Sequence, residues 1–213
     1  MMNEQYYTAD PTCESKPVPC AFSYRGHHLR FMTDAGVFSK GELDQGTHLL
    51  LDALPELSGD VLDLGCGWGA IGVSLAKANP DCRVVMADVN RRALDLSRDN
   101  LHSNGCRAEC VESDGMAALT GRRFDAVVTN PPIRAGKQVI YRMFLGSARA
   151  LNPGGALYLV IRKQQGAESC MKYLRTLFAR VDKLDKSGGF WVLKAWEPLE
   201  TEEDTNEVQP GVL

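Results

Sequence analysis

From residue 60 onward the sequence alternates short apolar runs with longer amphipathic stretches, and few folds accept that rhythm. Val61–Leu64 reads as a buried strand, followed by a helix over Ala70–Ala78 that Asn79-Pro80 stops. A strand over Arg83–Ala87 leads to a helix over Arg91–Asn104, closed by Gly105, the residue type that best takes the left-handed turn past a helix end. Ala108–Val111 makes a weak strand and Phe124–Thr129 a strong one. A helix over Lys137–Leu151 ends at Asn152-Pro153-Gly154-Gly155, and Ala156–Ile161 is the most continuous apolar strand. A helix over Ala167–Phe178 precedes two final strands, Arg180–Lys186 and Phe190–Trp196. Strands alternating with helices of roughly 10–15 residues imply βαβ units and a mostly parallel sheet covered on both faces. The turn at Gly188-Gly189 is too short for a parallel crossover, so the last two strands pair antiparallel. The expectation is an α/β fold with a seven-stranded, mostly parallel sheet that ends in an antiparallel β-hairpin.

Upstream, alternation in Ala21–Tyr24 and Leu29–Thr33 around Arg25-Gly26 predicts a small N-terminal β-hairpin. Gln45–Leu54 reads as a short helix stopped by Pro55. Residues 1–19, with Pro11, Pro17 and Pro19, read as an extended or poorly ordered lead-in, and the acidic stretch from Glu200 as disordered. The expected division is an extension over residues 1–58, the α/β domain over 59–197 and an acidic tail over 198–213. No run approaches the roughly 18 consecutive apolar residues of a membrane span. The first residues lack the basic-then-apolar order of a secretory signal. Seven scattered cysteines, without a Cys-x-x-Cys pair or a histidine at zinc spacing, predict reduced thiols, no metal site and a cytoplasmic location.

The net charge of −3 conceals a division along the chain. Residues 1–121 hold 10 basic and 17 acidic side chains, whereas residues 122–194 hold 14 basic and 4 acidic. Residues 195–213 hold 6 acidic and no basic ones. A basic segment of this size suits a phosphate backbone if its charges converge on one face; otherwise it is a set of solvated helix faces.

Asp63-Leu64-Gly65-Cys66-Gly67-Trp68-Gly69 follows the first strand of the alternation and opens the first helix. Glycines there let a backbone approach a ligand closely. Dinucleotide enzymes use a similar loop, but Asp63 would repel a pyrophosphate and suits a ligand carrying positive charge. Asp88 ends the next strand, 23 residues after Gly65, where a carboxylate can hold ribose hydroxyls. Asp114 of Ser113-Asp114-Gly115 follows the third strand, placed to accept from an adenine amine. Singly, each acid is more often a turn or cap residue; three at strand ends together point to a ligand. This set and the closing hairpin resemble the class I S-adenosylmethionine-dependent methyltransferases over about residues 59–197, with their Rossmann-like sheet. The resemblance implies that Asp63, Gly65, Cys66, Gly67 and Gly69 face the methionine part of S-adenosyl-L-methionine. Asp88 and Val89 would then meet its ribose, Asp114 and Gly115 its adenine, and Asn130 its reactive end.

Asn130-Pro131-Pro132-Ile133 follows the fourth strand of the alternation. Prolines lack a backbone donor, so the carbonyls of this turn remain acceptors. The lone pair of a base amino nitrogen is delocalised into the ring. The Asn130 side-chain oxygen and the Pro131 carbonyl can hold both amino hydrogens and favour a pyramidal nitrogen. Positioning then supplies much of the rate, without a strong base. Asn-Pro-Pro-aromatic is the signature for methylation of planar nitrogens in nucleic acids or in protein glutamine. Ile133 departs from it, and Phe38 or Phe190 is a candidate to stack on a flipped base instead.

The run Gly36–Leu50 and the ending Gly188–Lys194 resemble the small-subunit (16S) ribosomal RNA guanine-N2 methyltransferases, in a compact single-domain branch. That resemblance implies ribosomal RNA as partner and places Phe38, Ser39, Asp44 and Thr47 at the substrate. Arg134, Lys137 and Arg142 follow Asn-Pro-Pro, and Arg162 ends the next strand, so the basic segment contains the catalytic motif. Two rivals stay open: a protein glutamine methyltransferase, which needs no such basic surround, and a non-catalytic cofactor-binding module, which leaves Asn130 unexplained.

Overall fold

The computed structural model describes residues 8–200; the expected disorder of the acidic tail falls mostly on residues 201–213, outside the described residues. Its elements are β1 (Val18–Tyr24), β2 (His27–Thr33), α1 (Gln45–Ala53), β3 (Gly59–Leu64), α2 (Ala70–Ala78), β4 (Cys82–Asp88) and α3 (Arg91–Ser103), then β5 (Glu109–Glu112), β6 (Phe124–Thr129), α4 (Lys137–Ala150), β7 (Leu151–Arg162), α5 (Ala167–Leu177), β8 (Phe178–Ser187) and β9 (Phe190–Pro198). The large sheet has the order β5-β4-β3-β6-β7-β9-β8. Its first five strands are parallel, and β9 inserts antiparallel between β7 and β8. The expected seven-stranded sheet with its closing hairpin is therefore the fold. Strand order reverses between β3 and β6, so the loops after these two strands diverge and leave a crevice at their carboxyl ends.

Each face of the sheet carries its own apolar layer. Val61, Val84, Met86, Val128, Val160 and Val192 point to one side, with α1, α2 and α3. Leu62, Val85, Val127, Leu157, Leu159 and Leu193 point to the other, with α4 and α5. Successive residues along the central strands β3, β4, β6 and β7 are buried on opposite faces, as a doubly covered sheet requires.

The N-terminal hairpin joins the first layer through Cys20, Tyr24, Leu29 and Phe31. Phe22 stacks on Phe31 across the hairpin at 4.9 Å, and Phe31 meets Trp68 of the first layer edge-on at 5.0 Å. The outer backbone edge of β2 is paired by side chains. Asn100 Oδ1 accepts from Met32 N (2.7 Å) and its Nδ2 donates to Met32 O (2.9 Å); Asn104 repeats the pattern on Arg30. Two amides four residues apart on α3 thus match backbone groups two residues apart on β2, and an otherwise open strand edge is satisfied.

Of the two readings of the lead-in, the described residues set aside the poorly ordered one, and some element boundaries need correction. The lead-in over residues 8–17 is held in place: Arg91 N donates to Ala9 O, Arg92 reaches Cys13 O, and the Asp34 carboxylate accepts from Ser15 Oγ and Lys16 N. These contacts hold Asp34 below the usual carboxylate range despite the opposing cost of its burial. The helix expected to reach Leu151 ends at Ala150, and the strand expected from Ala156 begins at Leu151. Leu151 pairs with Phe124 and Ala156 with Ala126, so Asn152-Pro153-Gly154-Gly155 loops out as a bulge rather than separating helix from strand. Asn152 secures the bulge on Asp125 Oδ1 (2.8 Å). Lastly, β5 lies one residue later than expected, over Glu109–Glu112.

Among the described residues no helix is long and apolar enough to cross a membrane, and no group of three or more His, Cys, Asp or Glu side chains is arranged to hold a metal ion. All seven cysteines are free thiols.

Candidate active site

A cavity of about 630 Å³ opens at the carboxyl ends of β3, β4, β5 and β6, within the size range of small-molecule sites. Three strand-end loops and the run between β2 and α1 build its walls.

The glycine turn after β3 forms one wall. Gly65 (φ +76°) and Gly67 (φ +56°) take left-handed backbone that other residues adopt only under strain. A Cβ on Gly67 would meet nothing within 4 Å, so conformation rather than crowding selects glycine there. Gly65 N and Cys66 N both donate to Ala87 O, which fastens the turn to the end of β4. Gly67 N donates to Asp88 Oδ2 (2.8 Å) and Asn90 N to Asp88 Oδ1 (2.9 Å). Burial pushes the Asp88 carboxyl above its ordinary value, against the pull of these backbone donors.

Asp63 does not line the cavity. It is wholly buried, and Oδ2 caps the first turn of α2 by accepting from Gly72 N (2.8 Å). Its Oδ1 meets no hydrogen-bond partner, and burial, reinforced by the charge of Asp88, raises its carboxyl to about 7. Asp114 and Gly115 line the cavity from the loop after β5, where Ser113 N donates to Asp88 O and so ties the two acid-bearing loops together.

Asn130-Pro131-Pro132-Ile133 forms the opposite wall. Thr129 Oγ1 donates to Leu64 O (2.7 Å), locking the end of β6 to the end of β3 just before the motif. Pro132 O and Ile133 O accept from Ala135 N and Gly136 N, closing a 3-10 turn over Ile133–Ala135. Asn130 Nδ2 donates to Asp44 Oδ2 (3.0 Å) and to Thr47 Oγ1 (2.9 Å). Asn130 Oδ1 and Pro131 O accept no hydrogen bond from the described residues, and both residues border the cavity. The arrangement thus presents acceptors, not donors, at this wall.

The run between β2 and α1 closes the third side. Trp68 Nε1 donates to Phe38 O (2.9 Å) and brings Phe38 and Ser39 over the glycine turn. Ser39 sits in left-handed backbone (φ +56°), with Oγ donating to Glu42 O. Phe38 and Phe190 both line the cavity that holds Ile133. One flank of the Phe190 ring is close to Gly46, where a Cβ would approach to 3.0 Å, and the Arg162 guanidinium lies 5.1 Å from the ring centroid. Arg134, Arg142 and Arg162 line the mouth; Lys137 is exposed at the start of α4 but not in the lining.

Of the residues read from the sequence, all but Asp63, Gly69 and Lys137 border this cavity. Sequence reasoning missed Val37, Ile71, Ala93, Met143 and Gln165. Each is an ordinary helix or loop residue whose inward direction depends on packing, and none carries a local signal.

Residues 28–194 match the methyltransferase small domain family description. A Bacillus subtilis protein described as uncharacterized protein YbxB is 41% identical over 198 residues, covering 91% of this chain and 98% of that protein. Ribosomal RNA small subunit methyltransferase C of Vibrio cholerae is 36% identical over 82% of this chain and 52% of its own length. Among solved structures, a T. thermophilus 16S rRNA N2 methyltransferase (RsmC), in complex with AdoMet and guanosine, superposes with a TM-score of 0.76 at 30% identity, covering 86% of this chain and 50% of that one. The chain spans about half the length of these two ribosomal RNA methyltransferases.

Proposed function

The chain belongs to the methyltransferase small domain family, and we propose that it transfers a methyl group from S-adenosylmethionine to an exocyclic amino nitrogen of an RNA base, guanine N2 of small-subunit ribosomal RNA. The observation that carries this reading is the pair of free acceptors, Asn130 Oδ1 and Pro131 O, on the wall facing the glycine turn.

The cavity fits the methyl donor. Asp88 offers a fixed carboxylate for ribose hydroxyls, and the unpartnered Asp63 oxygen lies behind the glycine loop, where a cationic ligand would favour its ionised form. Glycine at 65 and 67 keeps the backbone close, and Asp114 with Gly115 bounds the adenine end. When bound, S-adenosylmethionine would supply a sulfonium methyl: the nitrogen–carbon bond would form as the carbon–sulfur bond breaks, S-adenosylhomocysteine would leave, and the nitrogen would release one of its protons to water. Asn130 Oδ1 and Pro131 O each accept one amino hydrogen, which withdraws the lone pair from ring conjugation and aims it across the cavity. Ile133 supplies an apolar surface for the base, with Phe38 and Phe190 available as rings. Arg134, Arg142 and Arg162 at the mouth, and Lys137 beyond it, suit the phosphates on either side of a flipped nucleotide.

Tritium transfer from labelled cofactor to a mixture of undermethylated small-subunit ribosomal RNA and ribosomal protein tests the reading. Label is expected in the RNA; label confined to protein would overturn it. An Asn130→Ala variant is expected to bind S-adenosylhomocysteine normally and to lose about 100-fold or more in kcat, the scale of removing one transition-state contact.

A further inference from the structure

We propose that the Asp44-Gln45-Gly46-Thr47 turn at the start of α1 is an orientation lock for Asn130, and that it restricts the site to nitrogens that bear hydrogen. The inference rests on the amino-transfer reading for its substrate and on geometry alone for the lock.

An asparagine amide has a donor end and an acceptor end of nearly the same shape, and rotation by half a turn exchanges them. Only the acceptor end can hold an amino hydrogen; the donor end would repel it. Both hydrogens of Asn130 Nδ2 are engaged, one on Asp44 Oδ2 (3.0 Å) and one on Thr47 Oγ1 (2.9 Å). A carboxylate can only accept, so the exchanged amide would set oxygen against oxygen. The Thr47 hydroxyl lies 3.5 Å from Asp44 Oδ2; its proton points there and its lone pair remains for Asn130. Asp44 is itself fixed, because the same Oδ2 caps α1 by accepting from Thr47 N (3.0 Å). Gly46 leaves room for this inward turn: a Cβ there would stand 2.9 Å from Asp44 Oδ2 and 3.0 Å from the Phe190 ring. Thr47 is buried, which protects the contacts from water.

Asp44 and Thr47 are therefore positioning residues that act through Asn130. With its donor end committed, Asn130 offers the cavity an oxygen only. Primary amines and amides are matched, while a ring nitrogen carrying a lone pair faces repulsion.

The test compares Thr47→Val, of the same shape without the hydroxyl, with Thr47→Ser, which keeps it. Thr47→Val is expected to lower kcat for methyl transfer to small-subunit ribosomal RNA by about 10-fold or more. The KM for S-adenosylmethionine and the binding of S-adenosylhomocysteine should stay unchanged, and Thr47→Ser should restore kcat. Thr47→Val with wild-type kcat, or an equal loss in both variants, overturns the lock. A second arm needs no substrate: with nitrogen-15 in asparagine, the Asn130 side-chain amide is identified by its absence in Asn130→Ala. Slow hydrogen exchange at that amide in the wild type, accelerated in Thr47→Val, is expected; exchange as fast as an exposed asparagine overturns the proposal. Should the wild type place no label in RNA, the base reading falls while the exchange arm still decides the lock.

Discussion

The two halves of the sheet that meet at the crevice carry opposite charge. On the side of β3, β4 and β5 the cavity is bordered by Asp88 and Asp114, with Asp63 buried behind them, and residues 1–121, the N-terminal hairpin and α1 included, hold 17 acidic against 10 basic side chains. On the other side, residues 122–194, which hold β6, β7, β8 and the first part of β9, have 4 acidic against 14 basic side chains, with three arginines at the cavity mouth. One topological break thus separates a wall suited to a cationic, hydroxylated ligand from a rim suited to phosphate. A net charge of −3, taken alone, would have hidden both. Charge on this scaffold is informative by strand end, not by sum.

That contrast can be broken from either side. The largest effect is expected on the acidic wall. Asp88→Ala removes the acceptor of Gly67 N and Asn90 N, freeing the glycine turn as well as losing the proposed ribose contact. Calorimetric affinity for S-adenosylhomocysteine is expected to fall by roughly 100-fold, the scale of two hydrogen bonds to a charged group, with RNA affinity unaffected. On the basic rim, neither Arg142 nor Arg162 forms an ion pair with a carboxylate of the described residues. Replacing both by alanine should weaken RNA binding by roughly 10-fold and reduce the slope of log affinity against log salt by about 2, one per phosphate contact. Cofactor affinity should not move. A loss of cofactor binding in this variant, or of RNA binding in Asp88→Ala, would erase the division.

The smallest effect sharpens the acidic side. The Asp63 carboxyl rises from an ordinary 3.8 to about 7 on folding. The folded state therefore holds this proton more tightly than the unfolded chain, and stability from the group is lost as pH rises from about 4 to about 7. Asp63→Asn keeps an acceptor for Gly72 N but cannot ionise. Relative to the wild type, cofactor-free Asp63→Asn should gain several degrees in melting temperature as pH rises from about 5 to about 8. The absence of that gain would contradict the buried, uncompensated charge.

Most of the frame is legible in the sequence, because local rules agree with the global fold there. The α2 helix starts after Gly69 and stops before Pro80, and β6 carries the apolar Phe124, Ala126, Val127 and Val128; both elements have the boundaries expected of them. The β7 start escapes because Pro153-Gly154-Gly155 is ordinarily a separator, whereas here Leu151 has already rejoined the sheet opposite Phe124. The lead-in escapes because its order comes from Arg91, Arg92 and Asp34, long-range partners of a locally featureless segment. The site divides the same way. Motif spacing points to Asp88 and Asn130, which both border the cavity, but not to which way a side chain turns. Asp63 caps α2 instead of entering the cavity, and the Asn130 amide is oriented by residues 83 and 86 positions away. Direction is set by packing, and a single sequence does not record it.

The central claim is that an amino nitrogen on a base receives the methyl group. The most direct test is mass spectrometry of nucleosides from undermethylated small-subunit ribosomal RNA incubated with the full chain and deuterated-methyl S-adenosylmethionine. The expected result is label in N2-methylguanosine, absent with Asn130→Ala. Label in a ring-nitrogen or ribose methyl group, undiminished by that substitution, would contradict it.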